Sequence, residues 1–218
     1  MLDALETHYG AMPRSRVIWN GRDGSMWHSQ PVKERSVVSV GRIWDDAKNI
    51  HALDSIAADL DWPVVVAGSW ERPDGSGKPP ENIQCLGVVP PDELADWYGR
   101  AAIFALPARY EPFGLSILEA ALSGCALVLG DIPSLHELWS GAAVFVPPDD
   151  HEALSRELRS LIARPAYLTT LSLAARCRAR SYGTERMVMR YLDVYADLLD
   201  VPRTIPLDRE IAAVPSES

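Results

Sequence analysis

The sequence predicts an α/β domain of the doubly wound kind, in which helices cover both faces of a parallel sheet of about six strands. Six short apolar runs are unbroken where a half-exposed strand would alternate, which is typical of strands covered on both faces. Segments with helical spacing lie between these runs, and this regular alternation predicts parallel strands joined by helical crossovers. The predicted strands are residues 37–40, 64–67, 83–86, 103–106, 126–129 and 143–146.

The helices are predicted from apolar spacing and from residues that begin or end a helix. Apolar side chains in residues 49–60 fall on one stripe. A Pro-Asp-Glu sequence at 91–93 begins the next helix, with acids where the helix dipole favours them. Gly124 stands where a helix commonly ends, and Ser134 is expected to cap a short helix. Further helices are predicted at residues 115–123, 151–163, 167–180 and 185–199.

The predicted organisation is one sheet domain between two flanking regions. We assign residues 1–34 to an interdomain linker or remnant and residues 35–182 to the Rossmann-like domain. Residues 183–200 contain an amphipathic helix outside the sheet. Residues 201–218, which contain prolines and acids, are expected to form a flexible tail.

The composition limits the classes of function. Of the 218 residues, 47% are hydrophobic and 23% are charged, as in an ordinary globular protein. The net charge of −9 argues against general affinity for nucleic acid or an anionic membrane surface. No apolar run approaches the roughly 18 residues of a transmembrane segment, and the N-terminus lacks the apolar core of a secretory signal. We therefore expect a cytoplasmic protein.

The three cysteines, Cys85, Cys125 and Cys177, are far apart and form no Cys-x-x-Cys pair. This spacing argues against a zinc site and against a disulfide framework. We expect them to be buried thiols in a reducing compartment.

Three segments follow predicted strands at the carboxyl edge of the sheet, where open parallel sheets bind ligands: residues 41–48, 68–78 and 107–115. The third segment leads directly into a predicted helix. Gly114 would let the backbone approach a ligand closely, and free amides from Phe113 to Ser116 would point at it. Such a helix N-terminus binds anions without a basic side chain.

Two carboxylates accompany this helix N-terminus. Glu111 lies on the loop and Glu119 lies just over one turn inside the helix, so both could reach one crevice. Taken alone, both are equally consistent with solvent-exposed surface residues. Arg42 and Lys48 follow the first strand on the same edge, with Lys48 expected to begin a helix. An arginine fork with a mobile lysine charge suits a diphosphate, so the set favours a diphosphate clamp.

In order and spacing, these residues resemble the C-terminal domain of family 4 (group 1) glycosyltransferases, which have the two-domain GT-B fold. The resemblance runs from about residue 15 to residue 199. Its motifs stand at residues 40–42, Lys48, 86–88, 111–114, 119–120 and Glu137, with an Asn-Gly turn at 17–21.

The resemblance implies the nucleotide-sugar-binding half of a retaining enzyme that transfers a hexose from a UDP- or GDP-sugar to an unknown acceptor. Arg42 and Lys48 would hold the donor diphosphate, and Glu111 would face the transferred sugar; these three form the catalytic set. Positive groups held in place stabilise the charge that develops on the departing diphosphate. The resemblance implies no metal and no cofactor.

The resemblance also implies a substrate-binding set around the donor. Glu119 would accept hydrogen bonds from the ribose hydroxyls, and backbone near Val88 and Val89 would meet the base. The whole set is Gly41, Val88, Val89, Phe113, Gly114, Leu115, Ser116 and Glu119. The sequence departs from the family at Asn49, where Gly is frequent, and at Ala108, where Ser is frequent.

In this family a separate N-terminal domain supplies the acceptor site and commonly a catalytic histidine. The resemblance therefore implies that this domain is a missing partner and that the chain is inactive alone. None of the five histidines fits the catalytic role, and we expect each to be a surface or helix residue. The helix at 185–199 resembles the one that crosses back to the missing domain. Its apolar face is expected to be exposed, which could drive dimerisation.

The sequence bears on two other classes of function. A nicotinamide-dependent oxidoreductase is disfavoured because no Gly-x-Gly-x-x-Gly follows a strand. The Gly-Ser-Gly-Lys sequence at 75–78 lacks the first glycine and the Ser or Thr of a phosphate loop, so it is expected to be a surface turn. A non-catalytic nucleotide-sugar-binding or docking module stays open, because binding and catalytic residues overlap.

Overall fold

The computed structural model describes residues 2–199 and contains one six-stranded sheet. All paired strands are parallel, in the order β3-β2-β1-β4-β5-β6. The predicted fold class is confirmed, and each predicted strand is present with bounds shifted by at most three residues. The strands are β1 Glu34–Val40, β2 Val64–Ala67, β3 Gln84–Gly87, β4 Ala101–Leu106, β5 Ala126–Gly130 and β6 Val144–Val146.

Helices follow most of the strands and cover both faces of the sheet. Two short 3-10 helices, Gly24–Met26 and Arg180–Tyr182, lie on the flanks. The α-helices are α1 Leu2–Tyr9, α2 Ile50–Ala57, α3 Pro91–Arg100, α4 Leu115–Leu122, α5 Pro133–Trp139, α6 His151–Ala163, α7 Pro165–Ala179 and α8 Thr184–Leu199. The expected tail at 201–218 lies outside the described residues.

The core is formed by the central strands and by the buried sides of helices α2 to α7. Every residue of β4 is buried, and Val37 and Val38 of β1 pair with Ile103 and Phe104 of β4. Uninterrupted apolar runs therefore became the central strands because both of their faces are covered.

Two predicted helix starts are wrong. Lys48 does not begin a helix, because Asn49 has a φ of +54° and the helical backbone starts only at Ile50. Ser134 does not cap α5, which begins at Pro133; its hydroxyl donates instead to the Glu111 carbonyl at 2.7 Å. Proline suits the first helical position because that position needs no amide donor.

The C-terminal flank is helix α8, which lies outside the sheet. Within the described residues, none of α8 is buried, and the side chains of Tyr191, Tyr195 and Leu198 are exposed. The expected exposed apolar face of this helix is therefore present. No helix in residues 2–199 is long and apolar enough to cross a membrane.

The cysteines are free thiols with different surroundings. Cys125 is buried and Cys85 is half-buried, whereas Cys177 is exposed on α7. The expectation of buried thiols is thus confirmed for Cys125, met only in part by Cys85 and wrong for Cys177. Within the described residues, no group of three His, Cys, Asp or Glu side chains could hold a metal ion.

Candidate donor site at the carboxyl edge

The chain reverses its direction of winding between β1 and β4, which are neighbours in the sheet. After β1 it proceeds to β2 on one side, and it later returns to β4 on the other. The loops that follow β1 and β4 therefore flank a topological switch point, where open α/β sheets leave a crevice for ligands. The two loops are joined by the Arg109 amide, which donates to the Ala47 carbonyl at 2.9 Å.

Asn49 reinforces this junction from a buried position. Its side-chain amide donates to the Pro107 carbonyl at 2.8 Å and to the Pro148 carbonyl at 2.7 Å. The left-handed backbone at this residue is one that Gly and Asn adopt most readily. This conformation explains how asparagine can stand where glycine is frequent in the family that the sequence resembles.

Glu111 lies in the crevice and is only 7% exposed. The Lys48 ammonium donates to its Oε2 at 2.5 Å, although the two residues are 63 positions apart in the chain. The alternative in which Glu111 is a solvent-exposed loop residue is therefore wrong. A carboxylate with so little access to water is expected to have a cationic partner, and Lys48 supplies it.

The N-terminus of α4 points its first amides at the same crevice. Gly114 has a φ of +81°, and a Cβ there would lie 2.5 Å from the Ile117 side chain, so only glycine fits without rearrangement. The helical ladder begins with the Leu118 amide, which donates to the Gly114 carbonyl at 3.0 Å. The amides of Leu115 and Ser116 precede that bond, and among residues 2–199 neither has an acceptor, so both are available to an anion.

Phe113 contributes to this site through its backbone. Its side chain is buried and packs edge-on against Tyr182, with 5.6 Å between ring centroids. The ring therefore anchors the loop to the core and leaves the main chain at the crevice.

Glu119 lies in the second turn of α4 and is 6% exposed. The Arg22 guanidinium Nε donates to its Oε1 at 2.7 Å. Burial raises the pKa of the Glu119 carboxyl, and the positive charge of Arg22 and its hydrogen bond act in the opposite direction. Glu119 is therefore not the surface helix residue that the sequence alone allowed.

Arg42 makes its ion pair within its own loop. Its side chain is 60% exposed, and its guanidinium pairs with Asp45 at 2.5 Å and lies 5.0 Å from the centroid of the Trp44 ring. Beside it, a Cβ at Gly41 would come within 3.2 Å of the Lys48 side chain, so glycine leaves room for that lysine. The structure thus brings Lys48 and Glu111 together and leaves Arg42 exposed at the rim, paired with Asp45.

The two residues expected near the base lie at the far end of the same edge. Val88 follows β3 directly and is 85% exposed, and Val89 is half-buried. Two strands, β2 and β1, separate β3 from the switch point.

Sequence reasoning missed Arg22, and it also missed the contact between Ser134 and Glu111. The Asn-Gly turn at 20–21 pointed to this part of the chain, but nothing local indicated that the next side chain reaches Glu119. The five histidines lie on the surface or in helices as expected; His136, for example, stacks on Phe145 and contacts Asp131.

A family model described as "Glycosyl transferases group 1" matches residues 34–164. This segment holds the whole crevice apart from Arg22 and is more than half of the chain. The chain belongs to the group 1 glycosyl transferases. The predicted family is therefore confirmed, and the sheet described above is its GT-B-type α/β domain.

One curated relative illustrates this membership. A D-inositol 3-phosphate glycosyltransferase from Catenulispora acidiphila is 34% identical over 128 residues, which are 58% of this chain and 31% of that protein. The chain thus spans about a third of the length of this curated relative.

Solved structures share the fold. The sucrose-phosphate synthase of Thermosynechococcus elongatus superposes with a TM-score of 0.79 and 20% identity, over 92% of this chain and 57% of that one. The Anabaena protein Alr3699/HepE, whose structure was solved in complex with UDP and glucose, gives 0.78 and 16%, over 89% of this chain and 60% of that one.

Proposed function

We propose that this chain binds the nucleoside diphosphate sugar donor of a retaining glycosyltransferase that transfers a hexose. The observation that carries the proposal is a pair of buried carboxylates, Glu111 and Glu119, each bonded to a cation beside the open N-terminus of α4. Burying two carboxylates has a desolvation cost, which a binding role would account for.

The diphosphate would bind between the first turn of α4 and the loop that follows β1. The amides of Leu115 and Ser116 would donate to one phosphate, and Lys48 would add positive charge beside them. Arg42, exposed at the rim, has the freedom to leave Asp45 and close over the second phosphate. An arginine can donate two parallel hydrogen bonds to a phosphate. The phosphate would therefore compete with Asp45 for the Arg42 guanidinium.

The remaining roles follow from position along the edge. Glu119 would accept a ribose hydroxyl, and Glu111 would face the transferred sugar near the reacting carbon. The backbone of Val88 and Val89, at the far end, would contact the base. These assignments require the nucleotide to lie along the carboxyl edge, with its phosphates at α4 and its base towards β3.

This arrangement supplies the electrostatics that sugar transfer requires. As the bond to the anomeric carbon breaks, negative charge develops on the departing diphosphate. The fixed helix amides, Lys48 and Arg42 would stabilise that charge without a metal ion. The Glu111 carboxylate would stabilise positive charge on the sugar, and the departing phosphate would assist the incoming hydroxyl on the same face.

A further domain is expected to supply the acceptor site. The relatives and structural neighbours are longer than this chain, which covers 31% of one and 57% of another. The exposed apolar face of α8 suits contact with such a domain. Dimerisation through the same face stays a prediction.

Calorimetric titration with UDP, GDP, ADP and NAD, repeated on Glu119→Ala, tests the proposed binding. The complex of the Anabaena neighbour with UDP and glucose makes UDP the first candidate. Selective binding of one nucleoside diphosphate that the variant loses would support the proposal. Failure of all four to bind, or binding that Glu119→Ala leaves unchanged, would contradict it.

Transfer is tested separately, by adding an N-terminal domain from a group 1 relative and supplying the donor that titration identifies. Formation of a glycosylated product that requires Glu111 would support an enzyme. Tight donor binding without any transfer or donor hydrolysis would indicate a non-catalytic binding or docking module instead.

A further inference from the structure

Arg22 has a backbone that is held in place by the C-terminal flank. Its amide donates to the Tyr182 carbonyl at 3.0 Å, and it forms a parallel bridge with Gly183. The preceding residue, Gly21, passes so close to this flank that a Cβ would lie 2.6 Å from the Gly183 carbonyl oxygen. The position of Arg22 is therefore set by a main-chain junction and not by its own side chain.

From this junction the Arg22 side chain reaches into the proposed donor site. Its Nε donates to Oε1 of Glu119 at 2.7 Å, and the contact joins residues 97 positions apart. The arginine side chain is 44% exposed, whereas that of Glu119 is 8% exposed. Among the described residues, no hydrogen bond reaches Oε2 of Glu119, so this oxygen keeps its capacity to accept one from a ligand.

The surroundings of Glu119 otherwise disfavour its charge. Burial raises the pKa of this carboxyl, and Arg22 is the cation that lowers it. The Tyr98 hydroxyl, buried and without a hydrogen-bond partner in the described part of the chain, also faces this region. Burial and the Glu119 charge raise the pKa of Tyr98, and beyond it burial raises the pKa of Cys125 to about 11, so both stay neutral.

We propose that Arg22 is a positioning residue of the donor site, which holds Oε1 of Glu119 and fixes its rotamer so that Oε2 can accept a ribose hydroxyl. This inference rests on the proposed function. It also means that Arg22 links the Glu119 carboxylate to the place where the segment before β1 meets the start of α8.

The test compares wild type, Arg22→Ala and Arg22→Lys in calorimetric titrations with UDP, or with GDP if that binds more tightly, across a range of pH. Arg156→Ala is the matched control, because Arg156 is an exposed arginine that pairs with Glu157 on α6, outside the crevice. In parallel, carbon-13 NMR of glutamate carboxyls measures the pKa of Glu119 in the same proteins without any ligand.

We expect Arg22→Ala to weaken nucleotide binding roughly tenfold at neutral pH, the factor that corresponds to one hydrogen bond to a charged group. The part of the nucleotide affinity that depends on an ionised Glu119 is present above the pKa of this carboxyl and is lost as the pH falls through that pKa. Since removal of Arg22 raises that pKa further, the loss should begin at a higher pH in Arg22→Ala. Arg22→Lys should restore much of the wild-type pH profile, and Arg156→Ala should match wild type.

Three results would overturn the inference. One is an unchanged Glu119 pKa in Arg22→Ala, which the NMR titration reports whether or not a nucleotide binds. Another is an unchanged affinity and pH profile in that variant. The third is tighter binding, which would show that Arg22 competes with the ligand for Glu119. If the proposed function itself is wrong, the two measurements separate: wild type binds no nucleotide, although the Glu119 pKa still depends on Arg22.

Discussion

The two edges of the sheet both carry arginines and carboxylates, yet they hold them very differently. At the amino edge, a cleft of about 750 Å³ lies between the start of β1, the end of α2 and the junction of α6 with α7. Its charged side chains, Arg35, Asp59, Asp61 and Arg159, are all exposed. At the carboxyl edge, Glu111 and Glu119 are buried and each is bonded to a cation.

The proposed site rests on this difference in burial and not on the volume of a cleft. Exposed charges around an open cleft cost the protein little, because water solvates them. A buried carboxylate costs free energy unless a specific partner is held beside it. The proposed donor site is therefore placed at the switch point of the sheet, where two such carboxylates lie, and not in the amino-edge cleft.

The largest expected effect is on the stability of the carboxyl edge. Asn49→Ala should lower the free energy of unfolding by about 2–4 kcal/mol, because it leaves two carbonyls without donors and places alanine in a left-handed backbone. Urea denaturation measures the change. Asn49→Gly, which keeps the backbone conformation, should lose less; an equal loss in both variants would show that the backbone contributes nothing.

The next effect is on binding. Glu119→Ala should weaken nucleoside diphosphate binding by about 1.5–3 kcal/mol, the range for a hydrogen bond to a charged group. The matched control is Asp61→Ala, which removes an exposed carboxylate from the amino-edge cleft and should leave the affinity unchanged. If calorimetry showed the larger loss in the Asp61 variant, the two edges would have been assigned the wrong way round.

The strands, Asn49 and Glu119 show what could and could not be predicted from the sequence. The strands were predictable because a run such as 103–106 is buried on both faces and carries no alternation. The turn at Asn49 was not, because its left-handed backbone depends on carbonyls supplied by residues 107 and 148. The burial of Glu119 was equally hidden, since it depends on packing from distant parts of the chain.

A smaller effect separates the phosphates from the nucleoside. Arg42→Ala should weaken UDP binding roughly tenfold, through the loss of a charge-assisted contact, and should leave uridine binding unchanged. Competitive titrations with the two ligands give the ratio directly. An equal effect on UDP and uridine would rule out the diphosphate clamp.

The smallest effect is expected at the amino edge. Arg159 donates to the Asp59 carbonyl at 2.8 Å, but its side chain is exposed, so water can replace it. Arg159→Ala should therefore change the free energy of unfolding by no more than about 0.5 kcal/mol and should not affect nucleotide binding. A loss as large as that of Asn49→Ala would remove the contrast between the edges.

The candidate site was predictable in its residue types but less so in its contacts. The order of Arg42, Lys48, Glu111 and Glu119 pointed to one edge, because carboxyl ends of parallel strands lie together. The pairing of Lys48 with Glu111 and the role of Arg22 required the folded chain. Contacts across 63 and 97 positions leave no local pattern.

The most direct test of the account is an amide NMR titration of this chain with the nucleoside diphosphate that calorimetry selects. The account predicts the largest shift changes at the amides of Leu115 and Ser116, with smaller ones near Val88 and none at Trp62 or Ala163 in the amino-edge cleft. Changes confined to Trp62, Ala163 and their neighbours would contradict it, because the ligand would then occupy the opposite edge of the sheet.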